Sequence, residues 1–103
     1  MMTILVQFTL SHTENKTAEI GEFFNEILPD TRTFNGNLSA ELYQKDLAEN
    51  ALVLCEEWES TAHFNEYIAW RKDIGDFDRL GAMLTDMPII TVMSKIVTAS
   101  EAQ

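Results

Sequence analysis

A chain of 103 residues, 46% of them hydrophobic, has the length and apolar share of one soluble globular domain. Its formal charge of −10, from 17 acidic against 7 basic residues, excludes the clustered cations that nucleic acid or an anionic membrane surface requires. The single cysteine, Cys55, excludes an intramolecular disulfide, and no apolar run approaches the ~20 residues of a membrane span.

The start, MMTILVQFTLSHTENK, lacks the basic region and cleavage site of a signal peptide, so a cytoplasmic protein is expected. Thr3 to Leu10 is short, β-branched and aromatic and predicts a strand. His12 follows among polar, loop-like residues and reads as solvated. From Glu14 to Leu28, Ile20, Phe23, Phe24, Ile27 and Leu28 fall on one face of an amphipathic helix. Pro29 has no backbone N–H and disfavours the helical region for Leu28, so the helix is expected to end or kink there.

Asn35-Gly36-Asn37 signals a turn or bulge. Leu38, Ala40 and Leu42 then alternate with Ser39, Glu41 and Tyr43, the period of a half-buried strand. Lys45 to Asn50 is a polar connection of hairpin-like length, and Ala51 to Trp58 follows as a more apolar, central strand antiparallel to its neighbour. Within it Cys55 reads as a buried, inert thiol, and the successive Glu56 and Glu57 point to opposite faces, so at most one reaches an interior. Ser60 or Thr61 caps the next helix, on which Phe64, Tyr67, Ile68 and Arg71 form one stripe and His63, Tyr67 and Trp70 an overlapping one. Gly75 interrupts it. Phe77, Leu80, Met83, Leu84 and Met87 predict a second helical piece, with Met83, Met87 and Met93 as core filler or as the lining of an adaptable pocket. Pro88 marks the exit into a last strand, Ile89 to Val97. Residues 1–98 are thus expected to form the domain, and 99–103 a frayed tail.

The order β-α-β-β-α-β is the ferredoxin-like α+β plan, an antiparallel sheet with its helices on one face. The strands carry apolar residues at both parities, with Ile4, Val6, Phe8, Val53 and Cys55 alternating with Leu5, Leu10, Leu52 and Leu54. That is too much apolar surface for a solvated second face, which predicts a homodimer formed through the sheet.

Thr31-Arg32, the Asn35-Gly36-Asn37-Leu38 turn, the Glu56-Glu57-Trp58-Glu59-Ser60 segment and the spacing from Trp58 to Phe64 and Tyr67 occur in an order that resembles the antibiotic biosynthesis monooxygenase family, from Thr3 to Val97. The resemblance implies a dimeric α/β barrel with one pocket per subunit, between the helices and the curved sheet. Some members oxidise hydroquinones or anthrone-like polyphenols with O2 and no metal or flavin; relatives degrade haem, isomerise small metabolites or act as binding modules. Many active members carry a histidine where this chain has Tyr67. The haem-degrading relatives use a first-strand Asn, where this chain has Val6, and a late histidine that it lacks after His63, so haem degradation is disfavoured.

Cofactor-free oxygenation needs a base, a stabiliser for the resulting anion and a dry pocket. His63 is a neighbour of the family's histidine place rather than its equivalent, and is the candidate base because an imidazole titrates near working pH. Tyr67, one turn away, is the candidate hydrogen-bond donor to the anion. Trp58 and Trp70 would stack on an aromatic substrate and Arg71 would neutralise its charge. Each has a structural alternative: His63 as a capping group, Trp58 as a strand-end anchor, Tyr67 and Trp70 as core or interface aromatics, and Arg71, like Arg32, as the partner of a carboxylate. No cofactor or metal is implied, because His12 and His63 are far apart and no ligand spacing is present. The expected ligand is small and apolar or aromatic. A non-catalytic dimeric binding module and a small-metabolite isomerase are the competing functions.

Overall fold

Every second residue of β1 (Ile4–Ser11) is buried: Ile4, Val6, Phe8 and Leu10. β3 (Ala51–Trp58) repeats the pattern with Leu52, Leu54, Glu56 and Trp58. A computed structural model, which describes residues 3–45 and 51–96, sets these strands antiparallel, with Val6 opposite Glu56 and Phe8 opposite Leu54. β2 (Asn37–Gln44) lies outside β3 and β4 (Ile89–Ser94) outside β1, giving the order β2-β3-β1-β4. With α1 (Thr17–Thr33), α2 (Thr61–Asp73) and α3 (Asp76–Gly81), this is the ferredoxin-like α+β fold. The tail 99–103 and most of the Lys45–Asn50 connection lie outside the described residues.

The core is the layer between this sheet face and the helices, closed by Ile20, Phe23, Phe24, Ile27 and Leu28 of α1, Phe64 and Tyr67 of α2, and Leu80 of α3. Each such large apolar side chain contributes about 1.5–3 kcal/mol by leaving water. The register corrects the parity grouping. Leu10, Leu52 and Leu54 share the helix face with Ile4, Val6 and Phe8, while Val53 and the half-buried Cys55 fall on the other face beside Leu5, Gln7 and Glu57. That second face is therefore mixed rather than uniformly apolar.

Four further expectations are revised. α1 runs through Pro29 to Thr33. The donor lost at Pro29 falls on an exposed stretch, since Asn25 and Pro29 both face outward, and the last turn is anchored by the fully buried Thr31. Leu38 is exposed because the β2–β3 register slips by one residue between Asn37 and Ser39, a bulge that turns it off the buried face. His12 is buried, with Nδ1 3.1 Å from the Leu10 carbonyl and Nε2 3.0 Å from Thr17 Oγ1. A carbonyl only accepts, so Nδ1 carries the proton, and the ring ties the end of β1 to the start of α1. Finally, α3 stops at Gly81, leaving Met87 88% exposed and Met93 exposed on β4 together with Ile89, Ile90 and Val92. These methionines are not core filler; only Met83 packs partly against the core.

Ser60 is the residue that caps α2. It has extended backbone, and its Oγ accepts the His63 N–H at 3.2 Å. The preceding turn depends on Gly36, whose φ is +89° and where a Cβ would stand 2.3 Å from the His63 ring. Gly36→Ala is expected to destabilise the fold by more than about 1 kcal/mol, lowering the melting temperature by several degrees. Adding His63→Ala should recover little of it, because the His63 Cβ, 2.5 Å from the added methyl, remains and the backbone strain is untouched, as read by thermal unfolding followed by circular dichroism.

Candidate functional site

Glu56 points inward because it is in phase with Leu52, Leu54 and Trp58 along β3. It is 1% exposed, and the only hydrogen bond to it among the described residues comes from the Trp58 indole N–H, 3.1 Å from Oε1. Burial raises its carboxyl from 4.5 to about 7, against the smaller opposing effects of the Trp58 hydrogen bond and the Arg71 charge. Glu57 faces the other way and meets Ser39 Oγ at 3.0 Å.

Glu56 forms part of the wall of a cavity of about 30 Å³ between the sheet and all three helices. Phe8 and Leu54 form its floor, Ile27 and Phe77 stand at its sides, and Tyr67 and Arg71 close it from α2. Such a space holds a water-sized guest, not an aromatic ring.

Arg71 organises the polar wall. Its Nε donates to Tyr67 Oη at 2.9 Å and its Nη1 to Asp76 Oδ2 at 2.8 Å. Nη2 donates to the Ile27 carbonyl at 2.8 Å and to Thr31 Oγ1 at 2.9 Å. The guanidinium also lies 4.5 Å from the centre of the Trp70 ring. Tyr67 Oη and Thr31 Oγ1 are 2.7 Å apart, so one proton bridges two hydroxyls that both accept from Arg71. Burial, and then the nearby Glu56, push the Tyr67 hydroxyl above its usual 10, so it stays protonated at neutral pH.

The sequence-nominated residues thus fall into two groups. Tyr67, Arg71 and Trp58 meet around Glu56, with Trp58 fully buried and tilted against Tyr67 at 4.8 Å. Trp70 does not line the cavity; it is half-buried and stacked on Phe34 at 5.4 Å. His63 stands apart from the cavity. Its Nδ1 is 2.7 Å from Ser60 Oγ, and its ring covers Gly36, so the i+4 spacing that puts it near Tyr67 in sequence does not bring both into one space. Glu56, Thr31 and Asp76 were not nominated. Glu56 was findable as a carboxylate at an inward strand parity; Thr31 and Asp76 carry no comparable signal. Among the described residues, no group of three His, Cys, Asp or Glu side chains stands close enough to hold a metal ion, and no helix is long and apolar enough to cross a membrane.

No protein of curated function matches the sequence. Solved structures with the same fold include a conserved protein from Methanosarcina mazei, with a TM-score of 0.85 at 20% identity over 93% of this chain and 95% of that one. Rv0793 from Mycobacterium tuberculosis gives 0.83 at 20% identity over 94% and 98%. A protein from Deinococcus radiodurans, provisionally described as an antibiotic biosynthesis monooxygenase, gives 0.82 at 19% identity over 92% and 94%. At these identities the likeness establishes the fold. The family model for antibiotic biosynthesis monooxygenases matches residues 3–71, which takes in β1 through most of α2 and every polar group of the cavity except Asp76. The chain therefore belongs to the antibiotic biosynthesis monooxygenase family.

Proposed function

We propose that this protein is a cofactor-independent oxygenase of a small phenol- or quinol-type substrate, working as a cytoplasmic homodimer joined through the sheet. The observation that carries this reading is Glu56, a buried carboxyl without a bonded counter-ion, poised at about 7 on the wall of a cavity. A base with a pKa near the working pH is present in both forms and best exchanges a proton with a weakly acidic hydroxyl or an activated methylene. In this scheme Glu56 takes the substrate proton, and the anion gives one electron to O2. The radical pair then joins in a C–O bond, Glu56 returns its proton to the peroxide oxygen, and loss of water with the remaining C–H hydrogen leaves the new carbonyl. In balance, one ring methylene and one O2 become one carbonyl and one water. Tyr67 and Arg71 supply donors toward the anion, Trp58 holds the carboxyl, and Trp70 has surface left to stack on a ring. Admitting the ring requires the half-buried Ile68 and Phe77 to move aside, because the cavity is too small for it. His63 serves α2 in this reading instead of acting as the base. The exposed Ile89 and Met93, on the sheet face shared with Leu5 and Thr9, supply apolar surface for the second copy.

A second reading, a non-catalytic module for a small ligand, is favoured by the 30 Å³ volume and by donors of Arg71 already engaged inside the protein. Oxygen consumption by metal-stripped protein over hydroquinones, naphthols and anthrones, against autoxidation blanks, separates the two. Uptake above blank that falls at least about 100-fold in Glu56→Gln, the usual scale of lost general-base catalysis, and persists in His63→Ala supports the oxygenase with Glu56 as base. Loss in His63→Ala alone would return the base role to His63. No uptake over the whole panel, with ligand-induced thermal shifts instead, would favour the binding module.

A further inference from the structure

Resting on the reading that Glu56 handles the proton, we propose that Asp76 is a positioning residue for it. Asp76 draws the Arg71 guanidinium and its charge to itself, leaving the Glu56 carboxyl without a counter-ion. The two members of this ion pair are both buried, with side chains 4% and 9% exposed, at 2.8 Å. Arg71 has five N–H donors. Four are directed at Tyr67, Asp76, Ile27 and Thr31, and none reaches Glu56.

Charge counting gives the consequence. With Asp76 present, the buried set Arg71, Asp76 and Glu56 is neutral when Glu56 holds its proton and carries −1 when it does not. Without the Asp76 charge, the same set is +1 with protonated Glu56 and neutral with ionised Glu56. A low-dielectric interior favours the neutral arrangement in each case, so the Asp76 charge selects the proton-holding form. The titratable groups packed around Glu56 are Tyr67 and Arg71 from α2 and Asp76 from α3. From α1, Phe23, Phe24 and Ile27 line the same cavity, and its strand neighbours are Val6 and Ala40, none of which titrates. Arg79 also touches Asp76, at 3.3 Å, but is half exposed and screened by water. Asp76 lies beyond the segment that the family model matches, so this device is not part of what family membership shows.

The test reads protonation, not turnover, and so stands whether or not oxygen uptake is found. Glutamate side-chain carboxyls are labelled with 13C, Glu56 is assigned by its loss in Glu56→Gln, and its titration is followed by NMR. Trimethylamine N-oxide holds the compact state, and circular dichroism reports folding at each pH. In Asp76→Asn the midpoint should fall by at least about one unit, the size of effect that a nearby unshielded cation exerts. Asp76→Glu, which keeps the charge, should restore it, and Arg71→Gln should move it the opposite way, upward. A role confined to packing predicts that loosening the site lets water in and lowers the midpoint in both Asp76→Asn and Arg71→Gln. That common fall, a midpoint in Asp76→Glu that stays as low as in Asp76→Asn, or an unchanged midpoint in folded Asp76→Asn overturns the proposal.

Discussion

Arg71→Met is expected to cost about 3–5 kcal/mol of folding stability, the range for removing one partner of a buried ion pair. The loss comes less from the forfeited attraction than from what remains, namely a buried Asp76 without its cation and an Ile27 carbonyl and two hydroxyls short of a donor. For a domain whose whole stability is of the order of 5–15 kcal/mol, that is a large fraction. Equilibrium urea unfolding measures it, with Arg32→Met as the contrast. Arg32 reaches Glu41 at 3.3 Å in an exposed pair worth at most about 1 kcal/mol. It also donates from Nε and Nη2 to the Ala40 carbonyl at 3.0 and 2.8 Å, so its loss is expected to cost about 1–3 kcal/mol, below that of Arg71. Combining Arg71→Met with Asp76→Leu should recover a substantial part, because an apolar pair of similar volume carries no stranded charge. Equal losses for Arg71→Met and Arg32→Met would show that the buried cluster is not a stability centre.

The second large effect is on the pH dependence of stability. Glu56 has a folded-state pKa of about 7 against an ordinary value of 4.5. Between these values the native state holds a proton that the unfolded chain has released. Stability from this group is therefore fully present below about 4.5, falls as pH rises toward about 7, and stays flat above. At 1.36 kcal/mol per unit, the decline is on the order of 3 kcal/mol. Glu56→Gln keeps an oxygen for the Trp58 indole and removes the titration. Its unfolding free energy should lack this decline and exceed that of the unaltered protein above pH 7. Parallel pH profiles for the two proteins would mean that Glu56 is ionised in the folded state across the range. The same variant is predicted to lose oxygenation, so one substitution would stabilise the fold at alkaline pH while disabling the site, the signature of a strained functional carboxyl.

These two groups illustrate which features were legible beforehand. The alternation in β1 and β3, the Ile20–Leu28 stripe and a cap at Ser60 or Thr61 announce themselves because strand and helix periods are local properties of the chain, while the structure selects Ser60. Pro29 misleads because the cost of a missing N–H depends on whether its carbonyl partner is solvated, and here that stretch faces water. Leu38 misleads because one bulged residue inverts strand parity. His12 looks like a loop residue until Leu10 and Thr17 are brought to its two nitrogens.

The amino-acid sequence by itself determined the element order, the antiparallel sheet and the family, since these follow from periodicity, turn chemistry and a matched run of residues 3–71. It also singled out α2, whose Tyr67 and Arg71 line the cavity. Only the tertiary structure decided which side chains share a space. Tyr67 and His63 are one turn apart, yet the first lies in the cavity wall and the second at the cap. Glu56, Thr31 and Asp76, from three different elements, converge on Arg71 and Tyr67. The physical reason is that burial and charge pairing are set by contacts distant along the chain. No local pattern records that a carboxylate at an inward strand position will face a cation already claimed by another acid.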